Sequence, residues 1–382
     1  MRASRIVIAA IAMALGGAAF LAWPRLPDTL RIGVAAPFSG PLAPQGQDLL
    51  DGVVIAVEQI NAEGGVLIAG KRVKLAVVSM DDKASPVDGK IAAQHLVDQD
   101  VLVAVAHLNS GVSIPAAPLY ARAGIPQLAI STKPEYTRQG LPTTLRLVAN
   151  DDMQSVAMGS YALQMPGVER FAVVDDGTPY GKGLADQAAT VITKAGKTIA
   201  LRRGMDNKTT EFGELVGALA QARVDLLVTT LADFQIKALI DSLAQAGLTR
   251  MRILGGDTLK TPALLGAARK VGGVYAASPI LEAREFMQGK AFLERFRQRF
   301  RHEPVYGAHY TYDAVFVVAD ALARNGSIDK AALLARLKQF DGHAPVTGTM
   351  RFDASGEQRY GSIGIYRLGS ERWDLVLRSD SW

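Results

Sequence analysis

From Leu30 onward, short apolar runs alternate with longer segments whose apolar residues recur every three or four positions. "RIGVAAPF" (31–38) reads as a strand. In 47–65, Leu50, Val53, Val54, Val57 and Ile60 share one helical face, and Gly64-Gly65 supplies a stop. A strand at 73–82 follows, then a helix opened by Pro86 (86–99), a strand (101–108), a helix (112–124) and a strand (125–131). A second series restarts at 169–176. It runs through a helix (180–196), a strand (197–204), a helix (211–223), a strand (224–231), a helix (234–247) and a strand (252–257). Short β-rich runs beside amphipathic helices demand helical crossovers between parallel strands. The pattern predicts an α/β fold of two doubly wound parallel-sheet lobes, with helices on both faces of each sheet.

The last third breaks the alternation. Segments 289–300, 312–326 and 330–340 read as helices with no clear strands between them. Residues 347–368 read as a β-hairpin region turning at Ser355-Gly356. Those helices need a surface already built. The expected path therefore re-enters the first lobe and returns to the second, giving a hinge of several strands. The expected domains are 28–148 with 279–346 for one lobe, and 149–278 with 347–382 for the other.

Ahead of both lies a different kind of segment. Arg2 and Arg5 precede an uncharged apolar run from Ile6 to Trp23, with small residues at Gly17-Ala18-Ala19. This is the layout of a secretory signal, or of an uncleaved membrane anchor. Residues 1–27 are expected to be that segment, and the rest of the chain is expected to face the outside of a membrane, in the periplasm. No other stretch is long and apolar enough to span.

Composition narrows the function classes. Hydrophobic residues make up 49% and charged residues 21%, as in an ordinary globular chain. The net charge is +5, but three of the basic residues, Arg2, Arg5 and Arg25, belong to the N-terminal segment. Elsewhere basic and acidic residues interleave, with no basic stripe for nucleic acid. The absence of cysteine removes disulfides, thiolate nucleophiles and thiolate-bound metals. The 5 histidines show no helical zinc spacing. No dinucleotide fingerprint, phosphate loop or nucleophile elbow is present. "GGVLIAG" (64–70) follows a helix rather than opening one, so it reads as a turn. Asp81-Asp82 read as strand-end, hinge-side carboxylates, having no His or Glu cluster beside them. No enzyme activity, metal or cofactor is expected. A DNA-binding repressor with similar lobes would carry a helix pair where the apolar N-terminal run stands.

Several strings, in order, resemble the type I periplasmic binding proteins of ABC transporters, in particular the Leu/Ile/Val-binding branch. They are "IGVAAPFSGPLAPQGQDLLDGVVIAVEQINAEGGV" (32–66), "AHLNSGVSIPAAPLYARAGIPQLAIS" (106–131), "VVDDGTPYGKGLAD" (173–186), "YTYDAVFVVADAL" (310–322) and "VTGTMRFDASGE" (346–357). The resemblance implies a receptor that traps a small solute between its lobes and passes it to a transporter permease, acting as a monomer. A receptor feeding a sensor is the alternative. It also implies ligand contacts. Ser110 would hold a carboxylate at the start of a helix. Ser131 and Thr132 would meet an ammonium through a carbonyl and a hydroxyl, in a loop one residue shorter than in close relatives. Tyr180 would cover the ligand, and Asp257 would pair with its ammonium. Plainer roles stay open: helix caps for Ser110 and Asp257, a turn for Ser131 and Thr132, packing for Tyr180.

The departures matter as much. Gln45 and Ala232 stand where branched-chain receptors often carry aromatics, and Asn109 stands in place of a cysteine. Lys133 lies next to the expected ammonium site, unless it is merely a solvated loop lysine. Gln45, Asn109 and Lys133 thus join the candidate ligand-binding residues. They point to a polar or larger amino acid, or a related carboxylated compound, rather than leucine, isoleucine or valine.

Overall fold

The computed structural model describes residues 26–379, so the basic-then-apolar run Ile6 to Trp23 lies outside them. The first series forms β1 (Thr29–Ala36), α1 (Ala43–Ala62), β2 (Val66–Ile68), β3 (Lys71–Asp81), α2 (Pro86–Asp98), β4 (Val103–Ala106), α3 (Ser110–Arg122), β5 (Gln127–Ala129), the short α4 (Glu135–Arg138) and β6 (Thr144–Arg146). The second forms α5 (Asp151–Gln164), β7 (Phe171–Asp175), α6 (Pro179–Lys194), β8 (Ile199–Gly204), α7 (Gly213–Gln221), β9 (Leu226–Thr229), α8 (Asp233–Gln245), β10 (Arg252–Gly255) and β11 (Gly273–Ser278). Then come α9 (Gly289–Phe300), α10 (Ala308–Asn325), α11 (Lys330–Lys338), β12 (Asp341–Ala344), β13 (Gly348–Arg351), β14 (Gly364–Leu368) and β15 (Trp373–Arg378).

Two large sheets result, in the orders β2-β3-β1-β4-β5-β6 and β15-β14-β11-β10-β9-β7-β8. Their centres are parallel, as crossover helices require. One edge of each is antiparallel: β2 runs against β3, and β14 runs against both β11 and β15. The β2–β3 turn is Ala69-Gly70, with positive φ at both residues (44° and 84°), the backbone of a tight two-residue hairpin. That is the structural fate of "GGVLIAG".

Each central strand is buried on both faces, and alternate residues serve different cores. On β7, Ala172 and Val174 pack with α7 and α8, whereas Phe171 and Val173 pack with α5 and α6. On β1, Ile32 and Val34 join one core while Ala35 joins Ala92, Leu96 and Tyr120 of α2 and α3. The period-two pattern and the double burial define a doubly wound sheet.

The chain crosses between the lobes after β6, after β11 and after β13. After the second crossing, α10 lies across α1 so closely that a Cβ on Gly52 would sit 2.0 Å from the Ala308 carbonyl oxygen. Thr311 Oγ1 donates to the Leu49 carbonyl there, at 2.8 Å. The 347–368 reading needs correction. β13 pairs with β12, and only a single bridge, Phe352 to Gln358, closes over the turn. The chain then leaves for the other lobe, where β14 pairs with β11. A local hairpin gives way to a crossover. Met350 and Phe352 pack in the first lobe's core. Among the described residues, no helix is long and apolar enough to cross a membrane.

Candidate functional site

Because the central strands are parallel, their carboxyl ends align on one edge of each sheet, and the loops that follow converge there. β4 leads to Asn109 and Ser110, β5 to Ser131–Lys133, β7 to Tyr180 and β10 to Asp257.

Asp257 opens a 3-10 turn directly after Gly255 and Gly256. Its Oδ1 accepts a hydrogen bond from Tyr180 Oη at 2.6 Å and from Gln154 Nε2 at 3.0 Å. Gln154 is fully buried and also donates to the Ala277 carbonyl at 2.9 Å, which fixes its amide. Burial, reinforced by Asp257 and Asp151, raises the Tyr180 phenol well above its usual range, so it remains a donor to Asp257. The second carboxylate oxygen, Oδ2, accepts no hydrogen bond from the described residues.

A second carboxylate lies nearby. Asp151 is the first residue of α5, directly after the first crossing. Its backbone N–H donates to the Thr132 carbonyl at 2.9 Å, and the Thr132 side chain hydrogen-bonds its carboxyl. Asp151 Oδ1 is buried without a partner. Burial first, and the charge of Asp257 after it, raise Asp151 to about 7, while Thr132, Arg146 and Lys133 oppose that rise. Tyr306, in the turn before α10 of the first lobe, feels the charge of Asp257, so the two lobes bring their groups together.

The remaining expected residues fall as follows. Ser110 begins α3, and its Oγ accepts from the Lys133 N–H at 3.2 Å. Ser131 turns its hydroxyl inward to Ser113, 2.5 Å away, and its carbonyl accepts from Arg146 Nη1. Of the pair, Thr132 is therefore the one whose side chain meets the Asp151 carboxyl. The Lys133 carbonyl accepts from Arg146 Nη2 at 2.8 Å. Gln45 and Asn109 are half-buried, with Oε1 and Oδ1 unpartnered, and no hydrogen bond joins them to the others. Asp151, Gln154, Arg146 and Tyr306 were not expected from sequence. The one signal for Asp151 was a double acid, Asp151-Asp152, behind a capping asparagine.

Beneath the loops, Asp82 and His107 form a buried pair, Oδ2 to Nδ1 at 2.7 Å, with Tyr120 Oη 3.3 Å from Nε2. Ser113 Oγ is bonded to the His107 backbone and not to the ring, so these residues do not form a nucleophilic triad. Asp81 Oδ1 accepts from the Phe38 and Lys83 N–H groups and organises a turn. Among the described residues no group of three or more His, Asp or Glu could hold a metal ion.

A cavity of about 640 Å³ opens beside Asp257 and Tyr306, walled by both lobes.

The family model described as "Periplasmic binding protein" matches residues 29–371. An amino acid binding protein of Pseudomonas aeruginosa is 31% identical over 374 residues, covering 95% of both chains. The Leu/Ile/Val-binding protein homolog 1 of Brucella abortus is 29% identical over 368 residues, again 95% of both. An ABC transporter substrate-binding protein of Desulfitobacterium hafniense, solved in complex with Leu, superposes with a TM-score of 0.76 at 26% identity, covering 91% of this chain and 100% of that one. These relatives are solute-binding proteins rather than enzymes, and they share the two-lobed fold of parallel sheets derived above. The chain is a member of the extracytoplasmic periplasmic binding protein family, of the Leu/Ile/Val-binding type.

Proposed function

We propose that this protein captures a free amino acid or a close analogue between its lobes and delivers it to an ABC importer. The observation that carries the reading is the pair of carboxylates. Asp257 is oriented by Tyr180 and Gln154 with Oδ2 open, and Asp151 Oδ1 is buried without a partner. Two carboxylates, Asp151 buried and Asp257 half-buried, beside a threonine hydroxyl favour a cation with several N–H donors, which describes an ammonium. Ser110, at the start of α3, would receive the carboxylate. The names of the relatives, an amino acid binding protein and an ABC transporter substrate-binding protein, support the solute class and the transporter partner. Gln45 and Ala232 supply little apolar wall, so a polar or larger amino acid suits the site better than valine.

A thermal-shift panel of amino acids, amides, aromatic acids and dicarboxylates tests the class, since a ligand of the folded form raises the melting temperature. For the ligand so found, Asp257→Ala and Asp257→Asn should each weaken binding roughly 30-fold or more, because leaving a buried charge unpaired costs about 2–5 kcal/mol. Wild-type affinity in Asp257→Asn would remove the ammonium contact, since Asn caps a turn as well as Asp does.

A further inference from the structure

A second cavity, of about 490 Å³, lies at the hinge and falls within the range of about 300–1,000 Å³ typical of small-molecule pockets. All three crossovers wall it: Leu147 and Ala149 from the first, Pro279 and Leu281 from the second, Gln358 and Gly361 from the third. Ser278, Ile280 and Glu282 line the interlobe cavity beside Asp257 instead. Alternate residues of an extended segment point to opposite sides, so the second crossover separates the two cavities. The walls of this rear cavity are apolar and basic. Met153, Phe286, Tyr310 and Tyr360 supply apolar surface, Arg359 and Arg378 supply charge, and no lining residue among those described is acidic. The Arg378 guanidinium lies 5.2 Å from the centroid of the Phe286 ring, and its Nη1 donates to the Glu285 carbonyl at 3.1 Å. The carboxylates on adjoining segments lie outside the lining and have other partners. Asp152 pairs with Arg138, Glu357 pairs with Arg146, and Asp313 accepts from the Val346 and Thr347 N–H groups. Glu285 Oε2 accepts from Tyr366 and Glu282, its Oε1 is buried without a partner, and the charge of Lys260 acts on it. Arg359 is exposed, and among the described residues no carboxylate pairs with it.

We propose that this rear cavity is a second ligand site, for an organic anion that joins one carboxylate to an apolar body, and that its occupant stiffens the hinge. The apolar body lies against Leu281, Phe286 and Tyr310, out of water. The carboxylate meets Arg359 and Arg378, whose guanidinium groups offer charge-assisted hydrogen bonds. A cationic head would face two like charges and no acid. The occupant touches three crossovers at once, so local opening of any one of them also costs its contacts. The site is independent of the amino-acid reading, because Asp257, Asp151 and Thr132 take no part in it.

The test is calorimetric titration of the full chain with octanoate, butanoate and octylamine. Octanoate should bind at least about tenfold more tightly than butanoate, which lacks four methylenes to bury, and at least about tenfold more tightly than octylamine, which carries the opposite charge. Arg359→Glu and Tyr360→Ala alter exposed positions, Tyr360 being 53% exposed, where substitution leaves folding intact. The first should weaken octanoate about tenfold or more and the second about threefold or more, while Asp257→Ala should leave it within about twofold. Hydrogen exchange at saturating octanoate should slow at all three crossovers, 147–149, 279–281 and 358–362. Absence of octanoate binding, equal affinity for octylamine, or unchanged affinity in both Arg359→Glu and Tyr360→Ala overturns the site. Loss of octanoate binding in Asp257→Ala, with protection confined to the loops after β4, β5 and β10, places octanoate in the interlobe cleft and overturns it too. Binding that slows exchange at none of the crossovers overturns the stiffening of the hinge.

Discussion

Arg146 and Glu357 meet as a buried ion pair, with Nε to Oε2 at 2.8 Å and Nη2 to Oε1 at 3.1 Å, although 211 residues separate them. Arg146 ends the last strand of the first sheet and has no exposure; Glu357 sits in the crossover after β13. The same guanidinium donates to the carbonyls of Ser131 and Lys133, and Thr137 donates to Glu357. The backbone joins in: Arg146 N–H donates to the Gly356 carbonyl at 2.8 Å. Gly356 has φ +96°, and a Cβ there would lie 2.0 Å from the Thr144 oxygen, so the turn that presents Glu357 requires glycine. One side chain thus ties a hinge crossover to the loop carrying Thr132.

Stability and binding should respond differently when this pair is replaced. Glu357→Ala leaves a buried guanidinium without its carboxylate, at a cost of about 3–5 kcal/mol. Arg146→Met with Glu357→Leu removes both charges, and such replacements are often neutral or better for stability. Urea denaturation should show the double variant recovering much of the loss. Titration of the amino acid found by thermal shift should still show weakened binding in it, because the carbonyls of Ser131 and Lys133 no longer have their donor. Full recovery of affinity would mean that Arg146 does not position the loop.

Asp48 performs a comparable service from α1. Its carboxylate accepts four backbone N–H groups, those of Val305, Tyr306, Gly307 and Ala308, at 2.7 to 3.0 Å. Gly307 is the N-cap of α10 and Ala308 its first residue, while Val305 and Tyr306 form the turn just before it; a carboxylate is the natural partner of that helix end. Burial raises the Asp48 carboxyl even so, with the four hydrogen bonds acting against it. Asp48→Ala should lower the unfolding free energy by about 3 kcal/mol or more, the scale of hydrogen bonds to a charged group plus unsatisfied donors. Asp48→Asn, which keeps one acceptor oxygen, should lose less. Urea midpoints at pH 7 check the order. Equal midpoints for Asp48→Ala and wild type would deny the cap its role.

The lobes were legible in the sequence for a physical reason. Strands such as Phe171–Asp175 are buried on both faces and read as unbroken apolar runs, while the helices between them keep a polar side. The re-entry of α10 was legible too, because a helix like Ala308–Asn325 has too much apolar surface to stand alone. The pairing of β13 was not. Alternation says which face of a strand is buried, not which neighbour it pairs with, and β12 (Asp341–Ala344) has no apolar run to announce it. Polar residues that act at long range were equally silent. Arg146 finds Glu357 across the chain, and Asp82 finds His107 25 residues away. Asp151 stands in the first turn of α5 behind Asn150, whose Oδ1 accepts from the Met153 N–H at 3.0 Å, and nothing in that local pattern sets it apart from an ordinary first-turn acid. Only the fold brings it near Asp257.

That neighbourhood gives binding a pH dependence with a definite sign. The carboxyl of Asp151 is raised from 3.8 to about 7 in the folded protein, by burial first and by the charge of Asp257 second. The groups acting on it are Thr132, Asp257, Arg146 and Lys133. A folded-state value above the unfolded one means that the native protein holds the proton more tightly. The stability this contributes is present below about pH 4 and is lost as pH rises through about 7. Asp151→Asn removes the ionisation, so the stability of the variant relative to wild type should increase between pH 5 and pH 8. Binding runs the other way. An ammonium favours the ionised carboxyl, so wild-type affinity for an amino acid should rise through about pH 7 with release of a proton, while Asp151→Asn should show a flatter profile. Titration calorimetry in two buffers of different ionisation enthalpy at pH 6.5 measures that proton directly. No proton release in wild type, or the same release in the variant, would place Asp151 outside the ammonium's reach.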